Sequence, residues 1–250
     1  MSEQIQELAQ ILKESDNIVF FGGAGVSTES DIPDFRSSNG LWNEKLQINF
    51  TPEQLVSHTF YMRYPEEFFK FYKDKLIYPD ARPNNAHKAL AKLEQMGKLK
   101  AVVTQNIDGL HQAAGSKTVY ELHGSVLRNY CEKCHAFYDE KFILESEDVP
   151  TCPKCGGRVK PDVVLYEEGL DQSIINHSVE AIEAADTLII GGTSLVVYPA
   201  AGLIQYFHGK HLVLINKSET SADRKADLVI HDSIGKVFKE ALEIMGEKIE

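Results

Sequence analysis

Several apolar, β-branched runs in this chain stop abruptly at side chains able to do chemistry. Leu99–Thr104 releases Gln105, Asn106 and Asp108 within four residues, although Asn-Ile-Asp-Gly also reads as a plain turn. Thr118–Leu122 is followed by His123 in Glu-Leu-His-Gly-Ser-Val. A lone histidine beside glycine is often structural, but neutral histidine is the side chain best suited to take a proton near pH 7. Ile18–Phe21 runs into Gly22, Gly23 and Gly25, a tight turn that lets backbone approach a phosphate. A dinucleotide turn for hydride transfer would carry a third glycine where Thr28 stands. Pro33, Asp34, Phe35 and Arg36 then follow, more polar and aromatic equipment than such a turn needs. Leu188–Ile190 leads through two glycines to Thr193 and Ser194, whose hydroxyls and backbone N–H groups suit a phosphate. His211–Ile215 ends at Asn216 and Lys217, a polar exit suited to a ribose or an adenine edge, or to nothing more than a loop.

All four cysteines fall in one segment, as Cys131, Cys134, Cys152 and Cys155, with the spacing C-x2-C-x17-C-x2-C. That spacing matches paired zinc knuckles. Two disulfides or four unrelated thiols are the other readings, and both sit poorly with a chain that carries no secretion signal. The N-terminus has neither a basic nor an apolar signal region, and Ile5, Leu8, Ala9 and Leu12 recur at helical spacing instead. No apolar run approaches the length of a membrane span, so the expected location is the cytoplasm, with no membrane partner. The chain has 250 residues and a formal net charge of -11. That charge argues against direct nucleic-acid binding and is compatible with a basic, lysine-rich substrate.

The elements that must position these groups alternate. Strand-like runs at 17–21, 99–104, 187–190, 211–215 and 228–230 are separated by helical patterns at 3–14, 85–96, 173–185, 198–207 and 234–245. Alternation of this kind predicts an α/β fold whose parallel sheet is covered on both faces, with ligands at the ends of the strands. Two stretches interrupt it: an aromatic and charged one from about 37 to 84, and the cysteine segment. We expect a Rossmann-like large domain from 1–36, 85–124 and 160–250. The small inserted domain is then 37–84 and 125–159, a helical module plus a zinc ribbon held by the four cysteines.

Five motifs occur in order: Gly-Ala-Gly-Val-Ser through Ile-Pro-Asp-Phe-Arg, Thr-Gln-Asn-Ile-Asp-Gly-Leu-His, Leu-His-Gly, the paired Cys-x-x-Cys, and Gly-Thr-Ser-Leu-Val-Val-Tyr-Pro. Together they strongly resemble the sirtuin family of NAD-dependent protein deacylases, in its bacterial form, over nearly the whole chain. The resemblance implies removal of acetyl groups from protein lysines, with NAD consumed as co-substrate and nicotinamide, O-acetyl-ADP-ribose and free lysine released. Residues 28–36 resemble the family's mobile cofactor loop, which explains the missing third glycine.

By the same resemblance, Ala24 and Thr28 contact the cofactor, Phe35 covers the nicotinamide site and Arg36 pairs with a phosphate. Gln105 holds ribose hydroxyls, Asn106 positions a water or ribose, and Asp108 binds the carboxamide beside Ile107. The acetyl oxygen attacks the ribose carbon as nicotinamide leaves, and His123 is the general base for a ribose hydroxyl. Thr193, Ser194, Asn216, Lys217, Asp232 and Ile234 match phosphate, ribose and adenine positions. Val163, Val164 and Tyr166, with Val196 and Tyr198, match the two strands that grip an acetyl-lysine peptide by β-augmentation. The four cysteines hold one structural zinc, and a monomer is favoured.

Three positions depart from the family pattern. Asp31 stands where the family has glycine and bears on the loop's mobility. Gly22 replaces a threonine. Glu167 replaces a glycine and is expected to favour basic residues around the target lysine. No Tyr-x-x-Arg pair of the kind that binds acidic acyl groups lies between Gly40 and Arg82, since Tyr61-Met62-Arg63 has the wrong spacing. The alternatives are protein ADP-ribosylation or longer-chain deacylation at the same site, and, in other classes, a nicotinamide oxidoreductase or a non-catalytic zinc- and nucleotide-binding module.

Overall fold

The computed structural model describes residues 2–35, 40, 41 and 50–249. The strands among them are β1 (Ile18–Gly22), β2 (Leu99–Thr104), β3 (Val119–Glu121), β4 (Gly124–Cys131), β5 (Phe137–Tyr138), β6 (Val159–Val163), β7 (Thr187–Gly191), β8 (His211–Ile215) and β9 (Leu228–Ile230). The α-helices are α1 (Glu3–Glu14), α2 (Pro52–Leu55), α3 (His58–Arg63), α4 (Pro65–Lys75), α5 (Asn85–Gln95), α6 (Leu110–Ala113), α7 (Glu140–Glu145), α8 (Gln172–Ala184) and α9 (Ile234–Ile244).

Six strands form a parallel sheet in the order β3-β2-β1-β7-β8-β9. Side chains alternate between its faces, as the strand period of two requires. Ile18, Phe20, Val102, Ile189, Val213 and Ile215 join one buried cluster with α1, α5 and α9. Val19, Phe21, Ala101, Val103, Leu188, Ile190 and Leu214 join another with α8 and the 3-10 turn Ala200–Tyr206. With both faces covered, the strands read as continuous apolar runs instead of alternating ones. Burying one such leucine or phenylalanine contributes roughly 1.5–3 kcal/mol. The expected helix at 198–207 is that 3-10 turn, shortened to 200–206.

Helix starts are set by capping. The Ser2 hydroxyl accepts from Ile5 N at the start of α1, and the Asp171 carboxylate accepts from Ser173 N and Ile174 N at the start of α8. At α5 the Asn84 side chain accepts from Ala86 N, while His87 Nδ1 accepts from Asn84 N at 3.2 Å. Each bond satisfies an N–H that a helix leaves unpaired.

The second sheet is antiparallel, in the order β5-β4-β6. It shares a third buried cluster with α2, α3, α4 and α7, rich in aromatics: Phe60, Tyr61, Phe68, Phe69, Phe71 and Tyr72. Phe68 meets Phe69 edge-on at 5.3 Å and stacks on Tyr72 at 5.7 Å. The expected boundary between residues 159 and 160 falls inside β6, which hydrogen-bonds to β4 from Gly124–Val163 to Cys131–Val159. Arg128 on β4 ties the two sheets together, donating to Glu121 Oε2 at 2.6 Å and Asp162 Oδ2 at 2.8 Å.

Candidate active site

In the parallel sheet the chain leaves β1 for β2 and β3 on one side, and later returns to place β7 on the other. Sheets of this kind bind ligands outside their carboxyl ends at such a reversal. Gly22, Thr104 and Gly191 stand side by side there. The loop after β1 is drawn tightly onto the loop after β7: Gly25 N donates to Gly192 O at 2.8 Å. A Cβ on Gly25 would lie 2.8 Å from Gly192 Cα, so only glycine allows this approach.

A cleft of about 1100 Å³ opens at these strand ends. Its lining brings together Ala24, Thr28, Phe35, Gln105, Asn106, Ile107, Asp108, His123, Thr193, Ser194, Asn216, Lys217, Asp232 and Ile234, with Val163, Val164, Tyr166 and Tyr198. Val196 is not part of the lining; it is 56% exposed, and Val197 faces the cleft instead. Arg36 lies outside the described residues.

His123 sits between β3 and β4, where one sheet gives way to the other. Its Nδ1 lies 3.0 Å from Gln105 O. A carbonyl only accepts, so Nδ1 carries the proton and Nε2 is the basic nitrogen. Burial lowers the pKa of the ring, against the opposing pull of the Gln105 carbonyl, so it is neutral at pH 7. Gln105 is itself anchored: its N donates to Gly22 O at 3.0 Å and its Nε2 to Thr193 Oγ1 at 3.1 Å.

Beside it lies a network centred on Ser27. The Ser27 hydroxyl donates to Asp108 Oδ2 at 2.6 Å and accepts from Asn106 Nδ2 at 3.1 Å. His87 Nε2 makes a long contact to the same oxygen, at 3.5 Å. Because His87 Nδ1 accepts from Asn84 N, its Nε2 is the donor, and one donor plus two lone pairs of the hydroxyl are all used. Asp108 Oδ1 accepts from Leu110 N at 2.9 Å. Burial pushes the pKa of Asp108 up, against these bonds. Sequence reading singled out Asn106 and Asp108 but missed Ser27 and His87. Ser27 stands inside the quoted glycine motif, and the Asn84-to-His87 capping spacing was the only signal for His87.

Thr28 Oγ1 donates to Gly25 O at 3.0 Å, which spends its hydroxyl proton within the loop. Asp31 takes φ 61 and ψ 19, so it holds the left-handed conformation that a glycine would take. The Glu29 carboxylate reaches the start of α9 and accepts from Gly235 N at 2.8 Å. At the other end, Asn216 Nδ2 donates to Ser218 O at 2.7 Å. The Lys236 ammonium lies 2.6 Å from Asp232 Oδ2 and holds its pKa below the usual carboxylate value.

The wall of the cleft beyond His123 is extended chain. Gly124 pairs with Val163, and Val164 N donates to His123 O at 3.0 Å. Tyr166 N then donates to Val56 O at 3.0 Å. Tyr166 and Tyr198 are 38% and 70% exposed, leaving aromatic surface open to an extended ligand.

The cysteine sulfurs lie within 4.8 Å of one another, with Cys131–Cys155 at 3.4 Å and Cys134–Cys152 at 3.6 Å. All four are free of disulfides. Zinc–thiolate bonds of about 2.3 Å in a tetrahedron put sulfurs ~3.8 Å apart, so this donor set fits zinc. Lys133 N and Cys134 N point at Cys131 Sγ, at 3.4 and 3.5 Å, as in a knuckle turn. Four thiolates close the shell, so such a metal is structural.

Residues 23–199 match the profile of the Sir2 family. A Clostridium perfringens protein named NAD-dependent protein deacetylase is 74% identical over 244 residues, covering 97% of this chain and 100% of that one. A Staphylococcus aureus protein of the same name is 46% identical over 239 residues, covering 96% and 98%. Among solved structures, Sir2 with a deacetylated p53 peptide and 3'-O-acetyl ADP ribose has a TM-score of 0.89 at 39% identity, covering 98% and 99%. Sir2 with a p53 peptide and NAD+ has a TM-score of 0.85 at 38% identity, with the same coverage.

Proposed function

Because this chain belongs to the Sir2 family, we propose that it is an NAD-dependent protein-lysine deacetylase. Acetyl-lysine, NAD and one water give free lysine, nicotinamide and O-acetyl-ADP-ribose. The observation that carries the catalytic assignment is the fixed tautomer of His123, with Nδ1–H on Gln105 O and Nε2 left basic at the cleft.

The residues present fit NAD. The Gly25–Gly192 approach, the hydroxyls of Thr193 and Ser194, and Lys217 line one continuous cleft with Asp108 and His123. When bound, NAD supplies a ribose carbon that the acetyl oxygen attacks as nicotinamide departs. His123 Nε2 takes the proton of a ribose hydroxyl. Asp108, held by Ser27 and Leu110 N, accepts from the carboxamide, and Asn106 orients water or ribose. Phe35 shields the reacting carbon from water, and Arg36 pairs with a phosphate. Ala24, Thr28, Gln105 and Ile107 complete the nicotinamide and ribose end, and Asn216, Asp232 and Ile234 the adenine end. Val163, Val164, Tyr166 and Tyr198 grip the peptide by adding it as a strand.

We assign 1–36, 85–124 and 160–250 to the cofactor domain and 37–84 and 125–159 to a small domain stapled by zinc, with β6 shared across the boundary. A cytoplasmic monomer is the accompanying reading; thiols gathered for a metal rather than paired in disulfides support a reducing compartment. Among the described residues no helix is long and apolar enough to cross a membrane.

Mass spectrometry of NAD incubated with acetylated and succinylated forms of one peptide tests the reading. The expected products are nicotinamide and O-acetyl-ADP-ribose. Transfer of ADP-ribose to protein would establish the alternative activity, and NADH would end the family mechanism. We expect kcat/KM for acetyl-lysine to exceed that for succinyl-lysine by at least about tenfold, ~1.4 kcal/mol in transition-state terms. Phe35, Val56, Ile107 and Val163 give the acyl end an apolar lining, and Arg63 is not part of it. A carboxylate left there without a partner is costly. Equal rates would mean that a cation reaches the acyl group.

A further inference from the structure

We propose that Glu167 is a positioning residue that sets affinity for the acetyl-lysine peptide. It does so by fastening the extended segment Val163–Tyr166 to α3, through its hydrogen bonds and not through its charge. The proposal rests on the deacetylase reading.

Glu167 has φ 76, the left-handed region that residues with a Cβ seldom occupy. Such a conformation persists only where the surroundings hold it. Here the turn that Glu168 N closes on Leu165 O at 3.0 Å sets the conformation, and one carboxylate oxygen of Glu167 anchors it to α3. Glu167 Oε2 accepts from Thr59 N at 2.8 Å and from Thr59 Oγ1 at 2.7 Å, across 108 positions of sequence. Thr59 N belongs to the first turn of α3, where no helical carbonyl is available to it.

The neighbouring residue works in the same direction. Glu168 Oε1 lies 2.9 Å from His58 Nδ1, and Glu168 Oε2 accepts from Lys160 Nζ at 3.1 Å and Leu165 N at 2.9 Å. The backbone adds His58 N to Tyr166 O at 2.9 Å. The start of α3 and the peptide-facing segment are thus stitched together from both sides.

An extended segment has no internal hydrogen bonds to keep its shape. If it is loose before the peptide arrives, ordering it subtracts from affinity. A segment already fastened loses less. The proposal competes with the expectation that Glu167 acts by attracting basic residues of the target. Its carboxylate is already engaged by the Thr59 hydroxyl and N–H, and the hydroxyl bond is the main reason its pKa lies below the usual value.

The test uses the full-length protein, two acetyl-lysine peptides (one with neutral flanks, one with lysine and arginine flanks) and the variants Glu167→Gly and Glu167→Gln. Peptide binding without NAD, KM and kcat at saturating NAD, and amide exchange at Leu165 and Tyr166 are measured. Glu167→Gly is expected to weaken binding and raise KM about tenfold for both peptides, with kcat within about twofold and faster exchange. Glu167→Gln, whose amide carbonyl accepts the same two bonds, is expected to stay within about twofold of the parent. Unchanged binding in Glu167→Gly overturns the proposal. So does a glutamine variant as weak as the glycine one, or a loss confined to the basic peptide. Should Glu167→Gly not fold, Thr59→Val removes one of the two donors and is expected to weaken binding about threefold; no change there is equally fatal. A parent protein that binds but never deacetylates peptide would sink the deacetylase reading, while amide exchange still reports whether Glu167 fastens the segment.

Discussion

At His123 the tautomer is settled by the backbone before any substrate arrives. Gln105 O takes the Nδ1 proton, and Gln105 is held in turn by Gly22 O and Thr193. His123→Ala is therefore expected to keep the fold and NAD binding while kcat falls by roughly 10²–10⁴. Near-normal turnover in that variant would remove His123 from the mechanism. Its pKa, lowered by burial, fixes the sense of the pH profile. As the proposed general base the ring must be neutral to act, so its share of the pH profile is expected to be flat at pH 7 and to fall on the acid side, below the ordinary value of about 6.5. His123, Asn106 and Asp108 were legible as cleft residues because each lies within four positions of the end of a strand-like run. Ser27 and His87 were not, because their roles come from contacts 81 and 60 positions away. Glu167 was noticed as an unusual residue, but its partner Thr59 lies on another element and no sequence pattern pairs them.

The elements of the parallel sheet were legible almost to the residue, because buried strands are short β-branched runs and their helices carry one apolar face. The antiparallel sheet was not. β4 reads Gly-Ser-Val-Leu-Arg-Asn-Tyr-Cys, without clean alternation, and its register to β6 shifts between Ser125 and Asn129. A three-stranded sheet with a two-residue edge strand depends on outside support. The cysteines supply it, one knuckle following β4 and the other preceding β6. We expect about one tightly bound zinc per chain by metal analysis. Cys131→Ser or Cys155→Ser is expected to lower the unfolding temperature without altering any group at the cleft. Carefully purified protein that holds no zinc, or that holds a Cys131–Cys155 disulfide, would refute this.

For the molecule as a whole, the most consequential feature is how much imidazole lies buried near the cleft. His87 is pushed down to about 4 by burial. His111, in edge contact with His87 at 4.8 Å, is driven well below the ordinary value by burial and by that neighbour. Among the described residues, neither ring nitrogen of His111 has a hydrogen-bond partner. His123 is lowered as well. Each of these rings binds its proton more weakly folded than unfolded. Below pH ~6.5 the unfolded chain takes up protons that the folded one refuses, so stability is fully present above that pH and drains away as the pH falls, with the His87 share lost by about pH 4. Asp108, whose pKa is raised, works in the opposite sense, but it is one carboxyl against three imidazoles. While all three rings remain neutral, the slope approaches about 1.4 kcal/mol per pH unit for each. The expected result is an unfolding temperature that drops markedly between pH 7 and about pH 5. Loss of zinc from protonated thiols would contribute to the same fall, so the parent must be compared with His111→Leu. Leucine fills the apolar site without a group to protonate, and removes one ring's share of the acid slope while leaving the zinc contribution in place. If the two proteins show parallel stability curves across that range, His111 is not held neutral by the fold, and the acid sensitivity belongs to the other two rings and the metal.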